Sequence, residues 1–141
     1  MTPTSAMAAA TARVGDAPPD GLYSPRMPRR TIAEFRAERA EGQAALLEAD
    51  HLGIKRFLRL DNATYEDGAL DGRTKELLGL VASAVLRCND CIDYHLEQCV
   101  KLGYTKEQIV DALNVALVVG GSIVIPHARH AMLSLNELLA G

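Results

Sequence analysis

The sequence predicts an all-α fold, a bundle of five or so helices. Two capping boxes, "TIAE" at residues 31–34 and "TKEQ" at residues 105–108, mark helix starts. Glycines at Gly103 and at Gly120–Gly121 mark helix stops. From Thr74 to the C-terminus no stretch alternates apolar and polar residues as a half-buried strand would.

In chain order, residues 1–30 are rich in Ala, Thr, Pro and Gly and lack apolar periodicity. They read as a flexible N-terminal tail, followed by a single helical domain over residues 31–141. Arg26, Arg29 and Arg30 form a small basic cluster at its end, either a solvated linker or an arm that docks on another subunit. From "TIAE" an alternating-charge helix runs to about Asp50. The polar, turn-rich "LDNATYEDGALDGR" reads as a connection. Near Thr74 a helix begins, "TKELLGLVASAVLR", whose apolar face includes Leu77, Leu78, Val81 and Val85. Carried on to Leu102 it would be long for a globular helix without internal caps. Asn89 and Asp90 offer capping side chains, so a break falls near Arg87 to Asn89 and a new helix starts at about Asp90. Gly103 stops that helix. "TKEQ" opens the next, which runs through Val119, and the last begins at Ser122 or Pro126 and reaches about Leu139.

Composition limits the function classes. The chain has 141 residues, 48% of them hydrophobic, enough for a core in one domain. Aromatics are 4% with no Trp, so Ala, Leu, Val and Ile must fill it. A net charge of -3 argues against nucleic acid as a partner. No apolar run is longer than Val115 to Val119, far short of the roughly 18 residues of a membrane span. The opening "MTPTSAMAAATARVGDAPP" has no basic segment followed by an apolar one, and Asp16 and Asp20 interrupt any transit-peptide pattern. The expected location is the cytoplasm. Three cysteines make a poor disulfide framework, and clustered in such a chain they point to metal or redox chemistry in a reducing compartment.

All three lie in "RCNDCIDYHLEQC", residues 87–99. Cys88 and Cys91 are spaced to meet in a short disulfide. At ~100° per residue, Cys91, His95 and Cys99 share one helix face. Three readings fit this spacing. A reversible dithiol needs a thiolate, which a first-turn position and a nearby imidazolium both favour, and Cys91 has both. A zinc site could draw on Cys88, Cys91, His95 and Cys99, with His127 and His130 brought in by the fold, although ligands on one helix converge poorly on a tetrahedron. Simple packing is the third, since free Cys is often buried, and it is the default for Cys99. Glu76, twelve residues before Cys88, is either an ordinary first-turn acid or a carboxylate that orients a histidine or holds a thiol's proton.

Taken together, Glu76, the Cys88-x-x-Cys91-x-x-x-His95 run and the following "LGYTKEQIVDALNVALVVGGS" resemble the carboxymuconolactone decarboxylase superfamily, and within it the alkyl hydroperoxidase D-like branch. The resemblance spans about Thr74 to Leu135, nearly half the chain. It implies a helical fold assembled as an obligate homo-oligomer, a trimer or hexamer. It implies a thiol–disulfide oxidoreductase that reduces hydroperoxides or a partner protein's disulfide. No bound cofactor or metal is implied; an external lipoyl- or thioredoxin-like dithiol supplies electrons. By position, Cys88 and Cys91 become the redox pair, Glu76 and His95 the proton relay, and His130 an accessory residue matching the family's "HA" element. His127 and Arg129 carry no such role. Asn89 and Asp90 stand where some peroxidase members have an extra histidine, and an acidic Asp90 disfavours a neighbouring thiolate. The dithiol itself, absent from the founding decarboxylases, argues against a lactone decarboxylase.

Overall fold

A computed structural model of the chain describes residues 29–141. The tail reading falls mostly on residues 1–28, Arg26 included, which lie outside the described residues. Six α-helices and one 3-10 turn follow, and no strand occurs among the described residues.

Helix α1, Ile32–Glu48, starts at the expected capping box. Thr31 Oγ1 accepts from the Glu34 N–H, and Glu34 Oε2 accepts from the Thr31 N–H at 2.7 Å. Only Ile32 and Phe35 of α1 are buried. Helix α2, Leu52–Thr64, is capped by His51 and takes in the first part of the stretch read as a connection. Its pattern misleads because α2 buries none of its residues among the described residues, so the polar "LDNAT" costs nothing there. The connection proper begins at Tyr65.

Helices α3 (Gly72–Val85), α4 (Asn89–Lys101), α5 (Lys106–Gly120) and α6 (Ile125–Ala140) form the core. Helix α3 packs on α4 and α5, and α4 packs on α6. Leu80 and Ala84, Ile92 and Leu96, Ile109 and Ala116, and Ala131 and Leu135 meet there without solvent exposure, in the aliphatic core the composition implied. Leu78, read as part of the apolar face of α3, points outward instead and is 53% exposed. The buried face is set one position away and carries Glu76 with Leu80, Ser83 and Ala84.

Helices α3 and α4 end in the same device. At the C-terminus of α4 Gly103 takes φ 80°, Tyr104 N–H bonds to Cys99 O at 3.0 Å, and Gly103 N–H bonds to Val100 O at 3.1 Å. This is a Schellman turn, in which the left-handed residue is usually Gly. Before α4, the end of α3 repeats it: Cys88 N–H reaches Ser83 O at 3.0 Å and Arg87 N–H reaches Ala84 O at 3.1 Å. There the left-handed residue is Arg87, φ 63°. The break therefore falls where expected, but the cap of α4 is Cys88, whose sulfur accepts the Cys91 N–H at 3.2 Å, and not Asn89 or Asp90.

A left-handed non-glycine residue costs about 1–2 kcal/mol, partly offset on substitution by the greater unfolded-state freedom of Gly. Arg87→Gly is expected to raise stability by about 0.5–1 kcal/mol, read as a higher urea midpoint at unchanged slope. A lower midpoint would mean that the Arg87 side chain contributes more than its backbone costs.

Candidate active site

The α3–α4 corner places the cysteines at the start of α4, and they form a disulfide with Cα atoms 5.3 Å apart. Cys91 is exposed and Cys88 is half-buried. One turn further along α4, His95 is buried at 8% exposure, and another turn on Cys99 has none. The predicted face is real, but it descends from solvent into the core. Cys99 is a free thiol. Burial, and then the nearby Glu76 carboxylate, push it up to about 12, which makes it unreactive in the folded chain.

Glu76 and His95 come together from α3 and α4. His95 Nδ1 lies 2.7 Å from Glu76 Oε2, and Glu76 is itself 8% exposed. A carboxylate accepts only, so Nδ1 carries the hydrogen and Nε2 is left as the acceptor. Nε2 meets the Tyr65 hydroxyl at 3.4 Å. Burial, and then the Glu76 charge, hold Tyr65 above the ordinary phenol range, so it remains a donor. The ring of Tyr94 stands edge-on to His95 with centroids 5.2 Å apart. The imidazole is thus fixed on both nitrogens and along one edge.

Gly79 makes room for it. A Cβ there would lie 2.6 Å from His95 Cε1 and 2.8 Å from Nδ1. Neither Gly79 nor Tyr65 was singled out by the motif reading. An isolated Gly inside an apolar helix pattern was the available signal for the first. Tyr65 lies in a stretch read as a connection and carried none.

Cys91 and His95 open on one cleft of about 440 Å³, walled by Phe35 and Tyr94 and by charged residues of α1, α2 and α4. Arg30, part of the predicted basic cluster, is one of them. Its guanidinium donates to Glu38 at 2.8 Å and to Asp90 at 2.5 Å. Arg29 donates to Ser134 at 3.0 Å and Glu137 at 2.7 Å. These two arginines hold their own chain's helices, so for them the solvated-linker reading is corrected.

His130 belongs to a second cluster. Its Nε2 lies 2.8 Å from Asp93 Oδ1, which also accepts from Ser134 Oγ at 2.6 Å, and it does not line the cleft. Asp93 is 1% exposed. Burial would raise its carboxyl, but the bonds from His130 and Ser134 and the charge of Arg30 outweigh it and hold the group below the usual carboxylate range. His127 Nδ1 meets Asn89 Oδ1 at 2.8 Å, beside the disulfide. Arg129 lines a separate apolar groove with Leu117 and Met132. Among the described residues no three His, Cys, Asp or Glu side chains converge as a metal site requires, and no helix is long and apolar enough to cross a membrane.

The sequence pattern of the carboxymuconolactone decarboxylase family matches residues 54–133, more than half of the chain. The chain belongs to that family. The match begins within α2, ahead of the region the cysteine motif had identified, and so brings Tyr65 into the family's span. Among proteins similar to this family member is uncharacterized protein 4 of the cox locus of Paracoccus denitrificans, 35% identical over 101 residues, covering 70% of this chain and 91% of that protein. A solved carboxymuconolactone decarboxylase family protein of Thermotoga maritima is 53% identical with a TM-score of 0.72, covering 76% of this chain and 91% of that one. Its name suggests involvement in an antioxidative response. A solved family protein of Legionella pneumophila is 27% identical with a TM-score of 0.70, covering 76% of this chain and 96% of that one.

Two outcomes follow from this geometry. In an open helix Gly→Ala stabilises by about 1 kcal/mol; Gly79→Ala should instead lower the melting temperature and move His95, seen as a displaced His95 imidazole resonance. An unmoved resonance in a more stable protein would remove the packing argument. Asp93 has a folded pKa below its unfolded one, so its stabilisation is full above the unfolded value near 4 and is lost as pH falls through the lower folded value. Asp93→Asn should cost about 2 kcal/mol at pH 7 and flatten the decline of stability below pH 4, both measurable by urea titration across pH.

Proposed function

We propose that this family member is a thiol–disulfide oxidoreductase whose working groups are Cys88, Cys91, His95 and Glu76. The observation that carries the reading is one arrangement: an exposed, disulfide-competent Cys91 opening on the same cleft as an imidazole held by a buried carboxylate. A merely structural disulfide has no need of that imidazole. The antioxidative role suggested for the Thermotoga relative supports it.

The exposure of Cys91 beside the half-buried Cys88 supports Cys91 as the attacking thiol. In the reduced protein His95 Nε2, sharing the Tyr65 hydroxyl, takes the proton of Cys91, and Glu76 stabilises the imidazolium. The Cys91 thiolate attacks a hydroperoxide oxygen. The O–O bond breaks, an alcohol or water leaves with the proton, and Cys91 becomes a sulfenic acid. Cys88 attacks that sulfur, water leaves and the disulfide forms. A partner protein's disulfide is reduced by the same two thiols through a mixed disulfide. An external dithiol, lipoyl- or thioredoxin-like, then attacks Cys91 and expels Cys88 as a thiolate, and its second thiol displaces Cys91 as the carrier closes to its own disulfide. The Cys91 N–H and the start of α4 stabilise the leaving Cys88 sulfur.

Assembly as a homo-oligomer, a trimer or hexamer, is part of this reading. Phe57 on α2 is 67% exposed and Val118 on α5 is 79% exposed, on helices whose outer faces no other described residue covers. Apolar surfaces of this kind support packing against other copies.

Cys91→Ser should abolish dithiol-dependent reduction of hydroperoxides, a loss of at least about 100-fold. Cys88→Ser should stop after one attack and hold a sulfenic acid or mixed disulfide, visible in the intact mass. Turnover surviving in both variants would leave the dithiol without a role. It would favour a non-redox reaction on a lactone or other small molecule.

A further inference from the structure

Cys91 lies in a cleft with an unfavourable charge pattern. Besides Cys91 itself, the charged and titratable side chains facing the cleft are Glu38 and Arg39 from α1, Asp61 from α2, Asp90, Tyr94 and His95 from α4, and Arg30 from the segment before α1. Three are carboxylates. Asp90 is the most adverse, because it sits between the two cysteines in the first turn of α4. A carboxylate there takes up the favourable field of the helix N-terminus that a Cys91 thiolate would otherwise use, and repels that thiolate directly.

One group answers it. Arg30 Nη2 lies 2.5 Å from Asp90 Oδ1 and 3.6 Å from Asp93 Oδ2, while Nη1 lies 2.8 Å from Glu38 Oε2. Its guanidinium carbon stands 5.0 Å from the centre of the Phe35 ring. The residue is held from both sides in sequence, by Arg29 on Glu137 and Ser134 and by the capping box at Thr31. The other cleft arginine, Arg39, is stacked on Tyr94, 4.4 Å from its ring centre.

We propose that Arg30 is a positioning residue for the dithiol: by pairing with Asp90 it offsets the negative charge built into the cysteine loop and keeps Cys91 reactive as a thiolate near neutral pH. This rests on the dithiol reading above, but it concerns the thiol itself and is measured without any turnover.

The test is the pH profile of iodoacetamide alkylation at Cys91 in the fully reduced chain, mapped by peptide mass. Arg30→Gln should move the midpoint upward by about half a pH unit to one unit and slow alkylation at pH 7 about three- to tenfold. Arg30→Lys should restore most of the shift, because a structural loss would not be rescued by charge. Asp90→Asn alone should move the midpoint down, and in that background Arg30→Gln should have little effect. An Arg30→Gln shift of equal size with and without Asp90 overturns the proposal, as does an unmoved midpoint. Should Arg30→Gln fail to fold, Asp90→Asn decides alone: a midpoint that does not fall overturns it. Failure of the dithiol reading shows elsewhere, as peroxide turnover that survives loss of both cysteines.

Discussion

Cys88 belongs to two helices at once. Its N–H closes the last turn of α3 on Ser83 O, and its sulfur caps the first turn of α4 through the Cys91 N–H. No residue is spare at this corner, so the direction in which α4 leaves α3 is set within two or three residues. That direction places Glu76 and His95, nineteen residues apart in sequence, at 2.7 Å. It also puts Cys91 at an exposed helix start while the same helix face runs down to Cys99 in the core. Arg87 takes a left-handed backbone to make the turn. A strained conformation at a non-glycine residue persists only where its surroundings determine it, and here the hydrogen bonds on either side do so.

Around His95 the constraint changes from backbone to side chain. An imidazole can pass a proton only if one nitrogen is an acceptor aimed at the right place. Glu76 fixes which nitrogen that is, and Tyr65 meets it. Gly79 allows the ring to lie against α3, since a methyl group there would overlap it. Glu76 is itself buried, and a low-dielectric surrounding strengthens its hold on the ring. Asp93 and His130 repeat the carboxylate–imidazole pairing on the far side of α4, but with Ser134 and Arg30 supplying further partners. That pair is closed on itself and acts as a clamp between α4 and α6.

What could be read in the sequence follows a physical division. Helix starts at Thr31 and Thr105 and the stop at Gly103 were legible because each depends on a few adjacent side chains or one backbone angle. Cys91 and His95 were legible because helical spacing alone brings them to one face, Cys88 because it lies three residues from Cys91, and Glu76 because the motif carries its distance. The first helix turn hid its cap: Asn89 and Asp90 have the better capping chemistry, yet the Schellman turn places Cys88 at that position and leaves Asn89 to His127 and Asp90 to Arg30. Helix α2 was hidden because it buries none of its residues among the described ones, so its apolar residues do not trace a core. Leu78 misled for a related reason, as hydrophobicity cannot tell a face turned to the core from one left uncovered. Tyr65 and Arg30 reach the site from other segments, and no local pattern encodes such contacts.

Arg30 brings the acidic loop and the thiol chemistry into one account. Asp90 between the cysteines looks adverse for a nucleophilic thiol when only α4 is considered, since its charge opposes the field of the helix N-terminus. With Arg30 in place Asp90 has a counter-charge against it, and its influence on a sulfur one residue away falls accordingly. The same guanidinium reaches toward Asp93, so the clamp that joins α4 to α6 and the charge that serves the dithiol meet in one side chain. Removing it exposes two costs of different kinds: a buried carboxylate loses part of its compensation, and an exposed thiol meets an unscreened anion. Only the second depends on Asp90, and that dependence separates a residue that tunes chemistry from one that merely holds the fold.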